Sequence, residues 1–195
     1  FAIESLKRSK TANEDGSFAA EIAPVAVKSR SGTVEVKQDE QPFSADPGKI
    51  PKLKPAFRDS GTVTAANSSS ISDGAAALVL MRESEAKRRK LAPLARIVGT
   101  TSVAQAPALF TTAPVGAVKK LLEAVGWSAG DVGLYEVNEA FAVVTMAAMR
   151  DLGVPHEKMN VHGGACALGH PIGASGARII VTLLSAMQKY GERKG

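Results

Sequence analysis

With 195 residues, a net charge of +5, and 45% hydrophobic against 22% charged residues, the chain carries enough apolar material for a globular core. No apolar run approaches the ~20 residues of a membrane span, and no basic-then-apolar leader opens the chain, so no membrane partner is expected. A single cysteine, Cys166, excludes an internal disulfide framework and a thiolate metal cluster, and it fits a reducing, cytoplasmic location.

The positive balance favours anionic partners. The basic residues form no long block, and aromatic residues, the stacking platforms for single strands, make up only 5%. The tightest cluster, Lys87–Lys90, reads as a solvated helix face, and no nucleic-acid partner is expected.

In chain order, residues 1–13 read as the last turns of a helix, stopped by Asn13 and Gly16. Glu21–Val27 and Thr33–Lys37 alternate as strands do, around a turn at Ser31-Gly32. Residues 38–60 carry Pro42, Pro47, Pro51 and Pro55 with little periodicity, which predicts an irregular loop region containing Lys49, Lys52, Lys54 and Arg58. Gly61–Gly74 is rich in small hydroxylated residues. It leads into Ala75–Met81, a short apolar run that reads as a buried strand or a helix end followed by one.

A charged helix, Ser84–Lys90, and a strand from Ala95 to Val98 follow. The next helix runs from about Pro114 to Val125, with Thr112 as a plausible N-cap and Gly126 as the stop. Its stripe is Val115, Val118, Leu121, Leu122 and Val125. Leu134–Val137 reads as a strand, Ala140–Leu152 as a buried helix ended by Gly153, and Met159–His162 as a strand. Ser175–Tyr190 is a long helix with Ile179, Ile180, Leu183, Leu184 and Met187 inward, ended by Gly191. This alternation implies an α/β class, with right-handed crossovers and a sheet covered on both faces. Both chain ends read as cut, so a longer parent chain is expected.

Loops after strand C-termini are the expected ligand positions in such a fold. The glycine-dense stretch Asn160–Arg178 is the most informative of them. Its glycines suit close backbone approach, tight packing or a phosphate cradle at a helix start, although GxGxxG is absent. His170, in its middle, can move a proton near neutral pH. Asn138, at a strand end, is most simply a helix cap, while its amide also suits an oxyanion or a bound water. Asn67–Ser70 reads as a turn or as polar contacts to an extended ligand. His156, His162 and His170 fit no zinc spacing, so no metal is expected. No GxSxG elbow supports a serine triad, and Cys166 reads as a small buried apolar residue.

Taken together, FRDSGTVTAANSSSISDGAAALVLM, YEVNEAFA and NVHGGACALGHPIGASGAR resemble three motifs of the thiolases, in the family's order and spacing. They span Phe57 to Arg178 and correspond to the C-terminal half of a typical thiolase. The resemblance implies part of a layered αβαβα fold. Residues 1–71 would hold a preceding helix end and part of the CoA-binding loop domain. Residues 72–92 would be the last elements of the N-terminal domain, and 93–195 an incomplete C-terminal domain.

The implied activity condenses two acetyl-CoA into acetoacetyl-CoA and CoA, or runs the reverse thiolysis, through an acyl-cysteine. His170 would activate the nucleophile and bind the thioester oxyanion, with Asn138 holding a water there. Ser69 would contact the pantetheine arm of CoA, and Phe57, Ala65, Ala140 and Phe141 would line its tunnel. The Lys49–Arg58 region would meet the CoA phosphates. CoA thioesters are substrates and no further cofactor is implied. The family implies lipid metabolism and a homo-oligomer, a dimer or a homotetramer.

Some features depart from the pattern. Neither family cysteine, the nucleophile or the acid/base of CxGG, lies in this sequence, and Cys166 aligns with neither, so these residues alone should not turn over. Ala66 and Ser70 replace common glycines, and His162 replaces a common Asn. Rival readings are a 3-ketoacyl-CoA thiolase of fatty-acid β-oxidation, and a half-chain that only binds CoA or a partner subunit. A ketoacyl synthase shares the fold, but the motifs fit thiolases better.

Overall fold

Helix α1 (Ala2–Glu14) matches the helix expected at the start of the chain and buries Leu6, Ser5, Ser9 and Ala12 along one face. The computed structural model describes residues 1–195. Strands β1 (Val25–Ser29) and β2 (Gly32–Val36) pair antiparallel, with Val25 opposite Val36 and Ser29 opposite Gly32. The first strand begins four residues later than expected. Residues 18–22 are still wound into turns, with Ile22 N–H donating to Phe18 O at 3.0 Å, and Pro24 then resets the chain. The proline-rich region is mostly irregular, as its composition predicts, but holds the one-turn helix α2 (Gln41–Ser44) and a 3₁₀ turn at Ile50–Lys52.

After α3 (Glu83–Arg88), the next helix follows the apolar periodicity, whereas two later ones depart from it. In α4 (Ala113–Val125), Val115 is buried, and Val118 and Leu122 pack beside it on the core. Thr112 occupies the N-cap, but its hydroxyl donates to Leu109 O, because residues 107–112 already form a 3₁₀ turn. Helix α5 (Ala142–Leu152) is amphipathic, not buried all round: Val143 and Met146 are each 48% exposed. After the short α6 (Ala165–Leu168) comes α7 (Ile172–Tyr190), which starts three residues earlier than expected, on Pro171. Its buried positions are Ser175, Thr182 and Ala186, not the expected aliphatic stripe, and Ile180 is 45% exposed. Small side chains face inward there because α7 reaches a polar partner: Thr182 Oγ1 donates to Glu21 Oε1 at 3.1 Å. The glycine stops hold, with Gly126, Gly153 and Gly191 at φ of 71°, 66° and 70°.

The sheet differs most from expectation. Tyr135 and Met159 make a single parallel bridge, Tyr135 N–H donating to Lys158 O and Asn160 N–H to Tyr135 O. The ladder stops there because Asn160 turns left-handed, φ 45°, and its side chain takes over the pairing. Its Oδ1 accepts from Val137 N–H and its Nδ2 donates to Val137 O, both at 2.8 Å. Residues 75–81 and 95–98 form no strand and find no ladder partner within the chain, and Val79, Leu80 and Ile97 are 64% exposed or more. A parallel strand needs a neighbour to form its bonds, so the doubly covered sheet is not completed by these residues. The core is Val115, Val132, Tyr135, Val137, Val144, Ala148, Val154 and Met159, joining α4 and α5 to the bridged segments 132–137 and 154–159. No helix is long and apolar enough to cross a membrane.

His162, expected on a strand, lies in the turn after Asn160. It is 2% exposed, edge-on to Phe18 and tilted against Tyr190, with no hydrogen-bond partner on either ring nitrogen. Burial, aided by the Lys189 charge, pushes its pKa down to about 4 from an ordinary 6.5. The unfolded chain therefore takes up a proton that the fold refuses, and stability falls as pH drops from about 6.5 towards 4. His162→Asn should flatten this dependence. Thermal unfolding midpoints at pH 7 and 4.5 will show it as a smaller acid-induced drop in the variant than in the parent.

Candidate functional site

Residues 136–141 approach the glycine-dense loop because a buried carboxylate holds them together. Glu139 is fully buried. Its Oε2 accepts from Ser5 Oγ on α1 at 2.7 Å and from Cys166 N–H on α6 at 3.1 Å, and its Oε1 accepts from Asn160 Nδ2 at 2.8 Å. Ser5 Oγ in turn accepts from Gly164 N–H at 3.0 Å. The loop can come this close only without a side chain at Gly163 (φ 76°), where a Cβ would collide with Ser9 Oγ and Ser5 O.

This clamp sets Asn138 against His170. The Asn138 Nδ2 to His170 Nε2 separation is 3.4 Å. The far side of the imidazole is held by α7, with Nδ1 2.6 Å from Ser175 Oγ. Asn138 is not the helix cap its position suggested. The cap of α5 is Phe141, three residues on, because Ala140 and Phe141 are engaged elsewhere. Ser69 N–H donates to Ala140 O at 3.1 Å and Ala142 N–H to Asn67 O at 2.9 Å, an antiparallel bridge between Ser68 and Phe141. His170 N–H donates to Ser70 O at 3.0 Å. Three separated segments, 67–70, 138–141 and 169–175, are thereby sewn into one unit.

Of the expected site residues, His170 and Asn138 touch directly, and Ser69 and Ala140 are joined by the Ser69 hydroxyl, which donates to Ala140 O at 3.1 Å. Phe141 packs edge-on to Phe57 at 6.5 Å, and Phe57 is 74% exposed. Ala65 stands apart. It lines a cavity of about 320 Å³ with Ala66, Gln41, Lys49, Leu53 and Cys166, and none of the other expected residues faces it. Lys52, Lys54 and Arg58 are exposed, and Lys49 pairs with Asp46 at 3.5 Å. His156, His162 and His170 do not converge, and no group of His, Cys, Asp or Glu could hold a metal ion.

The chain matches two family models. Residues 1–84 fit the thiolase N-terminal domain and residues 91–195 the thiolase C-terminal domain. The chain belongs to the thiolase family. It is 49% identical over 196 residues to an acetyl-CoA acetyltransferase of Rhizobium meliloti, a match covering 100% of this chain and 50% of that one. It superposes on the crystal structure of the Bacillus anthracis acetyl-CoA acetyltransferase with a TM-score of 0.94 and 43% identity, covering 98% of this chain and 49% of that one. A thiolase of Ascaris suum, solved in complex with coenzyme A, gives a TM-score of 0.85 at 38% identity, covering 95% and 47%. The fold is therefore thiolase-like α/β, including the segments that lack ladder partners here. The chain spans about half the length of the curated relatives it matches.

Within this thiolase unit, several contributors carried no sequence signal of their own. Ser175 lies inside the GHPxGASG-like block, but only the fold shows that it meets the imidazole. Phe110, on the 3₁₀ turn before α4, packs edge-on to Phe141 at 6.1 Å and extends the aromatic wall begun by Phe57. Cys166 is buried as expected. Its Sγ faces Glu139 O at 3.7 Å, and burial, with the nearby Glu139 carboxylate, pushes its thiol up to about 12, so it carries no thiolate at neutral pH.

Two residues before Asn138, the carboxylate of Glu136 is almost wholly buried and neither oxygen has a hydrogen-bond partner. Arg178 Nη1 is 3.9 Å away, too far for a hydrogen bond. Burial outweighs that attraction and, with Glu139 and Glu21 nearby, pushes Glu136 up to about 8. The fold thus holds a proton that the unfolded chain releases near 4.5, so this group's contribution to stability is lost as pH rises from about 4.5 to 8. Glu136→Gln should leave unfolding near pH 5 little changed and raise the midpoint relative to the parent at pH 8. Parallel thermal melts at the two pH values test this.

Proposed function

We propose that this chain is part of an acetyl-CoA acetyltransferase, acting on acetyl-CoA, acetoacetyl-CoA and CoA with no additional cofactor. The observation that carries the reading is the meeting of His170 Nε2 with Asn138 Nδ2 at the junction of the three sewn segments. An imidazole nitrogen beside an amide donor suits proton transfer and oxyanion binding at one point.

In this reading a cysteine thiol gives its proton to His170 Nε2, and the thiolate attacks the thioester carbonyl. The protonated Nε2 and a water held by Asn138 receive the oxyanion, and CoA leaves as the acyl-cysteine forms. The only thiol among these residues is the inert Cys166, so the nucleophile comes from outside them. Ser69 borders the pantetheine arm. Its hydroxyl proton is committed to Ala140 O, which leaves its oxygen lone pairs to face a ligand. Phe57, Ala140 and Phe141 line the tunnel, with Ala65 on the separate cavity beside Cys166, and the exposed Lys52, Lys54 and Arg58 suit the CoA phosphates. The reading includes a homo-oligomeric assembly, a cytoplasmic location and a place in lipid metabolism.

The test uses the protein expressed with whatever sequence flanks these residues, assayed by CoA-dependent consumption of acetoacetyl-CoA. His170→Ala should lower kcat by roughly 10²-fold or more, and a kcat equal to the parent's would overturn the assignment. Ser69→Trp should raise the KM for CoA well beyond any fall in kcat. An unchanged KM removes Ser69 from the CoA site.

A further inference from the structure

With Asn138 Nδ2 facing the ring and Ser175 Oγ beside Pro171 O, the hydrogen-bond chain through His170 runs in one direction. Ser175 Oγ lies 3.1 Å from Pro171 O, an atom that can only accept, and 2.6 Å from His170 Nδ1. A hydroxyl has a single proton. On the other side of the ring, Asn138 presents Nδ2, an atom that can only donate, to Nε2 at 3.4 Å. An Nε2 that accepts from Asn138 carries no proton, so the neutral ring carries its proton on Nδ1. Nδ1–H then donates to Ser175 Oγ, and the serine proton goes to Pro171 O. Every donor in the line Asn138, His170, Ser175, Pro171 then has an acceptor. The opposite tautomer sets two donors face to face at Nε2.

Helix packing enforces this arrangement. Ser175 is 4% exposed. Its own N–H and that of Ala174 both donate to Pro171 O, at 2.9 and 2.8 Å, which fixes the first turn of α7 around the proline. The residue's backbone is thereby fixed under the imidazole, and its buried hydroxyl lies between Nδ1 and Pro171 O.

We propose that Ser175 is a positioning residue that fixes His170 in the Nδ1–H tautomer and leaves Nε2 as the unprotonated base facing the site. This rests on the thiolase reading for its catalytic consequence, but the tautomer is a property of the chain itself. When Nε2 takes up a thiol proton, the thiol becomes a thiolate and the ring an imidazolium. Its Nδ1–H remains bonded to Ser175 Oγ, so the ring does not turn between the two states.

The test has two arms, both on the protein with its flanking sequence retained. Long-range ¹H–¹⁵N spectra of the imidazole should show a protonated, pyrrole-type Nδ1 and a pyridine-type Nε2 for neutral His170. In Ser175→Ala the two nitrogens should move towards averaged shifts as the tautomers mix. In the second arm, Ser175→Ala should lower kcat for acetoacetyl-CoA thiolysis by about 10- to 100-fold with KM for CoA nearly unchanged, and Ser175→Thr, which restores the hydroxyl, should recover most of it. A protonated Nε2 in the parent, or identical imidazole shifts in parent and Ser175→Ala, overturns the proposal. Absent thiolase activity in the parent, with the expected tautomer present, overturns the functional reading and leaves the positioning role standing. A Ser175→Ala loss that Ser175→Thr does not recover counts against the hydroxyl as its cause.

Discussion

A carboxylate without water around it must be given donors, and the arrangement of this protein follows from where Glu139 finds them. Ser5 lies on the first helix, Asn160 at the end of the bridged strand, and Cys166 N–H at the start of α6. Removing any one of these partners leaves a buried acceptor short of a bond, a cost of about 1–3 kcal/mol and more when the group is charged. The Ser5 contact links positions 134 residues apart, and those to Asn160 and Cys166 span 21 and 27. Together they hold the preceding residue, Asn138, against the loop that carries His170. Glu139 touches neither the imidazole nor any expected ligand, yet the site geometry depends on it.

Nearby acids show how differently burial acts when donors are absent. Glu139 has three hydrogen-bond donors, whereas Glu136, three residues earlier, has none and retains its proton. Glu21 and Asp39 are also raised, chiefly by burial, opposed first by hydrogen bonds from Ser185 and Thr182 at Glu21 and from Asn13 at Asp39, and then by the Arg178 charge. The Thr182 contact is why that buried position of α7 carries a hydroxyl.

Much of the site was legible in the sequence because chemistry and glycine leave distinctive spacing. His170, Asn138, Ser69, Ala140 and Phe141 fall in three short blocks, and the fold brings those blocks together. The helix ends were legible too, since Gly126, Gly153 and Gly191 each supply a left-handed residue where an apolar stripe ends. The hairpin β1–β2 was legible too, but the parallel strands were not. Alternation in Leu134–Val137 and Met159–His162 suggests a ladder, but whether a ladder forms depends on a neighbour, and Asn160 replaces it with a side chain that acts as a peptide group. Ser175 and Phe110 escaped for a related reason. A serine in a helix and a phenylalanine in a turn are ordinary residues until the fold shows what lies beside them. The position of Asn138 also suits a cap, because sequence shows proximity to a helix start but not that Ala140 is already bound to Ser69.

The unpaired ribbons at residues 75–81 and 94–98 carry a practical consequence. Val79, Leu80, Leu94 and Ile97 stand 86%, 70%, 83% and 64% exposed beside backbone groups that pair with nothing in the chain. Unsheathed apolar segments of this kind are templates for intermolecular pairing. The colloidal behaviour of these residues in isolation is therefore governed by those ribbons and not by the well-packed helices.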